Sequence, residues 1–97
     1  MHIQINVTDL KKIVFLVLNK LDEGGIENIT IQMDEYWNIP TDEWSSMEEI
    51  KPVLGLLSDD WGSLLKVLNG DNIATYLDFE RLAAILRAIS ETIIPTV

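Results

Sequence analysis

Each of the three tryptophans in this chain follows a pair of acidic residues, directly or with one residue between: Asp34-Glu35 before Tyr36-Trp37, Asp42-Glu43 before Trp44, and Asp59-Asp60 before Trp61. An indole offers a large, rigid apolar surface with one N–H donor, and such residues dominate the energetics of protein interfaces. Carboxylates beside it complement lysine or arginine, and Tyr36 with Trp37 could cage a cation over their ring faces. The candidate partner-binding residues are therefore Asp34, Glu35, Tyr36, Trp37, Asp42, Glu43, Trp44, Asp59 and Asp60. Trp61 shares a helical face with Leu64 and Leu65 and reads as core. Trp37 and Trp44, on an irregular segment around Pro40, read either as the rim of the core or as interface.

The same carboxylates can be weighed as catalysts. Acid–base work needs two carboxyls whose surroundings push their pKa values apart, and sequence neighbours seldom converge on one substrate. Nucleophile elbows, phosphate-binding glycine loops and dinucleotide fingerprints are missing, and Gly62-Ser63 falls inside a helical pattern. No catalytic residue is assigned, and the chain is expected not to be an enzyme. Metal binding fares no better. There is no cysteine, His2 is the only histidine, and Asn69-Gly70-Asp71-Asn72 is a helix stop rather than a calcium loop. Neither a metal nor a cofactor is expected.

Charge narrows the partners. With 7 basic and 16 acidic residues the net charge is −9, so a phosphate backbone or an anionic membrane surface would be repelled. A basic protein would be attracted, less so at high salt. Solubility alone is the competing explanation for the acidity. The start of the chain lacks the basic flank and apolar run of a signal peptide, and the longest apolar run, Ile13 to Leu18, is far short of a membrane span. With no cysteine to oxidise, the chain is compatible with a reducing cytoplasm.

These residues must be held by a small fold. Ninety-seven residues, 47% of them hydrophobic, suit a single compact domain over 1–97 with one core. Residues 2–7 and 28–33 alternate apolar and polar side chains, which predicts two short strands around a helix over 9–23 and raises the prospect of a parallel βαβ unit; the competing reading of 2–7 is a simple lead into the helix. Thr8 or Asp9 is the expected N-cap of that helix and Gly24-Gly25 its stop. Leu10, Ile13, Val14, Phe15, Leu16, Val17, Leu18 and Leu21 make it apolar nearly all round, so it is expected to be surrounded by neighbours. Ser45 with Glu48 and Ser46 with Glu49 have capping-box spacing, and Pro52 limits any helix there to a turn or two. Val53 to Leu57 reads as a buried connector. Ser58 is the expected cap of a second helix over 58–69, ended by Asn69-Gly70, with Trp61, Leu64, Leu65 and Leu68 on its apolar face. A third helix over 77–93 carries a wide stripe of Leu77, Phe79, Leu82, Ala83, Ile85, Leu86, Ile89 and Ile93, with Arg81 and Arg87 largely opposite. Thr75 and Asp78 have capping-box spacing at its start.

At Tyr36-Trp37-Asn38-Ile39-Pro40, at Leu57-Ser58-Asp59-Asp60-Trp61 and over residues 82–91, the chain is similar to a group of small uncharacterised bacterial proteins, the match spanning much of residues 8–91. The resemblance implies a bacterial, non-secreted, cytoplasmic protein and transfers no activity, cofactor or site. The expectation is thus a helix-dominated α+β fold, with three main helices and a minor two-stranded β component. The expected function is that of a non-enzymatic acidic module binding a basic protein, in one version an immunity or antitoxin protein. The alternative is a structural or regulatory subunit that self-associates as a homodimer through an apolar helix face, and a third is a carboxylate-based enzyme.

Overall fold

A computed structural model of the chain describes residues 2–38 and 53–93. They form α1 (Val7–Glu23), β1 (Glu35–Asn38), β2 (Val53–Leu56), α2 (Leu57–Leu68) and α3 (Leu77–Ile93). This is the expected helix-dominated α+β composition, with three helices and a two-stranded antiparallel sheet. The chain divides into two compact units, one ending at Thr30 and the other beginning at Ile31.

In the first unit, α1 begins two residues earlier than its sequence suggests. Asn6, in an extended conformation, accepts the Asp9 N–H through its side chain at 2.9 Å, so Asn6 and not Thr8 or Asp9 is the N-cap. An asparagine side chain serves this role well, and it leaves Asp9 in the first turn, where negative charge is favoured. The far end closes as expected on the glycine pair. Gly25 has φ +73°, the Gly25 N–H donates to Asp22 O, and the Ile26 N–H donates to Leu21 O at 2.9 Å. That pair of bonds around a left-handed residue is the Schellman closure, which glycine enters without a Cβ clash. The expected encirclement of α1 is not found: the helix has no buried residue, and Phe15 is 69% exposed. Within its own unit only the returning chain lies against it, leaving Leu21, Ile26 and Ile29 half-buried.

The strands are not where the alternation placed them. Residues 2–6 and 28–33 form no strand, and the sheet is instead β1 paired antiparallel with β2. Alternation says which side chains share a face, but a strand also needs a neighbour for its backbone N–H and C=O groups, and 35–38 finds one in 53–56. The expected parallel βαβ unit is therefore an antiparallel ribbon. The expected connector at 53–57 is β2 running straight into α2. The capping boxes at 45–49 lie outside the described residues.

In this second unit α2 packs on α3, and among the described residues the buried ones are Leu57 and Ile85, each 7% exposed. Both helices are rotated from their most apolar face. On α2 the half-buried line runs through Asp60, Leu64 and Val67, leaving Trp61 51% exposed and Leu68 in solvent, so Trp61 is not core. On α3, Ile85 and the half-buried Ala88 and Ile89 continue a line that starts with Asp78 and Arg81, while Leu77, Phe79 and Leu82 are exposed. Arg81 thus turns inward, which a charged group tolerates only with a partner. Its guanidinium donates to Asp78 at 2.8 Å. The helix α2 ends as predicted: Gly70 has φ +82°, and the Asp71 N–H donates to Lys66 O.

Candidate functional site

The acidic–aromatic residues that the structure describes lie where β1 meets the start of α2. Asp34 stands just before β1, and its carboxylate accepts the Ser58 backbone N–H at 2.7 Å and the Ser58 hydroxyl at 2.8 Å. The Leu57 N–H donates to Asp34 O at 2.8 Å. The free amides of the first turn of α2 are thus met from 24 positions away in sequence, and Ser58, the expected cap, is a donor to the residue that does the capping.

Tyr36 is held just as firmly. It lies directly opposite Gly55 in the ribbon, and a Cβ built on Gly55 would fall 2.5 Å from Tyr36 Cζ and 2.8 Å from Cε1. The ring occupies the space a side chain at 55 would take, so glycine is required by close approach here rather than by backbone conformation. The phenol donates a hydrogen bond to the Asp60 carboxylate on α2. Burial first, then that hydrogen bond and the negative charges of Asp60 and Glu80, push the Tyr36 phenol up to about 12, with Arg81 opposing.

Because side chains alternate along a strand, fixing Tyr36 on one face of the ribbon puts Glu35 and Trp37 on the other. Trp37 is 71% exposed and stands opposite Leu54, itself exposed. Glu35 and Asp59 are exposed, and among the described residues their carboxylates have no hydrogen bond or ion pair. Of the nine candidate residues the structure therefore places Asp34, Tyr36 and Asp60 in internal contacts, and Glu35, Trp37 and Asp59 in solvent. Asp42, Glu43 and Trp44 lie outside the described residues.

Among the described residues each unit also carries a concave feature of its own. A cleft of about 310 Å³ between α2 and α3 is lined by Ser63, Val67, Thr75, Asp78 and Arg81 among others. The Thr75 N–H donates to Asp78 at 2.8 Å, the return half of the predicted capping box. That bond first, and the Arg81 guanidinium second, hold the Asp78 carboxyl below its ordinary value. In the first unit a groove of about 340 Å³ runs along α1, with Phe15, Leu18 and Ile26 beside Asp22 and Glu27. Among the described residues no three acidic or histidine side chains are grouped to hold a metal ion, and no helix is long and apolar enough to cross a membrane. Comparison with protein-family models, with curated proteins and with solved structures found no match.

Sequence reasoning missed Gly55 and Ser58 as members of this site. The signal for Gly55 was a lone glycine inside an apolar run, which in a strand marks a close approach. Ser58 carried no signal for its partner, because the partner is remote in sequence.

Proposed function

We propose that this protein is a non-enzymatic acidic interaction module, and that the outer face of the β1–β2 ribbon, carrying Trp37 and Glu35, meets a basic protein in a bacterial cytoplasmic setting. The observation that supports this reading is the mounting of Trp37. A large indole is held in solvent by a strand whose opposite face is pinned by Tyr36 and whose entry is pinned by Asp34. A preorganised aromatic loses little conformational freedom on binding, which is how an interface anchor gains affinity. Glu35 beside it and a net charge of −9 favour a cationic counterpart. Immunity or antitoxin proteins that cover a basic nuclease cleft are one concrete form of such a module.

Calorimetric titration against a panel of purified basic nucleases at about 50 and about 300 mM salt tests the reading, since exposed charges are screened over that range. Binding that weakens with salt, and by about tenfold or more in Trp37→Ala, is the expected result. Affinity indifferent to both salt and Trp37 would remove the proposal.

The second reading is self-association, and it has its own observation. Ile73, Tyr76, Leu77, Phe79 and Leu82 are all exposed at the start of α3. Large apolar side chains left in solvent so close together in sequence offer surface for association. Sedimentation at high salt separates the two: a salt-resistant dimer weakened by Phe79→Ser favours this second reading, and a monomer favours the first.

A further inference from the structure

The register of the ribbon determines which backbone groups face away from β2. The Leu57 N–H to Asp34 O bond brackets the pair Glu35–Leu56, which makes that pair and Trp37–Leu54 the non-hydrogen-bonded ones, and Tyr36–Gly55 the pair that exchanges bonds. The N–H and C=O of Glu35 and of Trp37 therefore point outward along the open edge of β1. Among the described residues no hydrogen bond occupies them. Glu35 and Trp37, whose backbone groups face this edge, thus also carry side chains that stand in solvent.

We infer that this edge takes a third strand from the basic partner: an extended segment bonds to the backbone of Glu35 and Trp37, with a lysine or arginine beside Glu35 and an apolar side chain two positions away against Trp37. Strand addition draws affinity from main-chain bonds and specificity from alternate side chains, and β1 offers both on the same two residues. Charge selects the occupant. A second copy of β1 would bring another acidic strand to the edge, and a carboxylate at an edge is a common guard against such pairing. The same carboxylate favours a cationic strand. This inference rests on the proposed function and adds the geometry of the contact.

The test uses the full chain, isotope-labelled, with the capped pentapeptide Lys-Thr-Val-Thr-Lys as probe. Its symmetry places lysine near Glu35 and valine near Trp37 in either strand direction. Two N-methylated isomers are compared with it, one blocked at the valine and C-terminal lysine nitrogens and the other at the two threonine nitrogens. The expected result is that one isomer binds like the parent while the other loses about tenfold or more, two backbone bonds being removed. Exchange of the Glu35 and Trp37 amides should slow at the same time. Equal binding by both isomers, with only the Trp37 indole shifted, overturns strand addition and leaves the acidic tryptophan surface standing. No binding by any of the three also overturns it, and the salt and Trp37→Ala titrations then decide the broader reading separately.

Discussion

The starts of α1 and α2 solve the same problem in opposite ways. The free amides of α1 are met by Asn6, three positions from the N–H it accepts, while those of α2 are met by Asp34, 24 positions away on the far side of a strand. The first closure is local and would persist in any context that keeps the neighbouring residues. The second exists only once β1 has docked, so it joins two elements as well as ending one. Local capping makes a helix; remote capping makes a fold.

The sharpest test of this contrast concerns burial. The second unit has buried anchors and α1 has none, so Ile85→Ala should cost about 2–5 kcal/mol in urea unfolding. Phe15→Ala, at an exposed position, should stay within about 0.5 kcal/mol of the parent. A comparable loss at both would break the contrast.

Next in size is the ribbon itself. Gly55→Ala forces a methyl into the Tyr36 ring and should destabilise by about 1–3 kcal/mol, as overpacking does. In a Tyr36→Ala background the same change should become nearly neutral, and that non-additivity identifies the ring as the obstacle. Additive losses would assign the glycine another role.

The caps should then cost similar amounts in different places. Asp34→Ala and Asn6→Ala are each expected to lose about 0.5–2 kcal/mol. Hydrogen exchange should report the first at Leu57 and Ser58 together with the ribbon amides, and the second at Asp9 alone. If Asp34→Ala leaves ribbon exchange unchanged, the remote cap is not a tie.

The smallest effect is a pH dependence. A phenol whose folded pKa is raised favours the folded state when neutral. Its contribution is complete below the ordinary value near 10 and is lost as pH climbs toward about 12. In a Tyr76→Phe background, which leaves Tyr36 as the sole tyrosine, ultraviolet titration should follow this directly. Asp60→Asn should move the midpoint down from about 12 while burial keeps it above 10. An unchanged midpoint would show that burial alone sets it.

What the residues disclosed in advance follows the same division. The stops at Gly25 and Gly70, the span of α3 and the capping-box spacing of Thr75 with Asp78 depend on near neighbours, and each was readable. The strands were misplaced because Ile3-Gln4-Ile5 and Ile29-Thr30-Ile31 alternate as well as any strand, while pairing depends on a second segment that alternation does not name. Trp61 and Arg81 lie away from the sides of their helices that periodicity predicts, because hydrophobicity sets an average face. The actual rotation answers to particular partners, Tyr36 for Asp60 and Asp78 for Arg81. Composition marks Glu35, Trp37 and Asp59 as candidates, but what separates them from Asp34, Tyr36 and Asp60 is which side of the ribbon faces the helix.

The bond from Asp34 to Ser58 makes ribbon and helix a linked equilibrium. Whatever stiffens Glu35–Trp37 must also lower the population in which α2 frays at its first turn, by the same factor in either direction. Occupancy at the strand would thus be reported by slowed exchange at Leu57 and Ser58, and a mutation that loosens that turn would weaken the ligand without touching it.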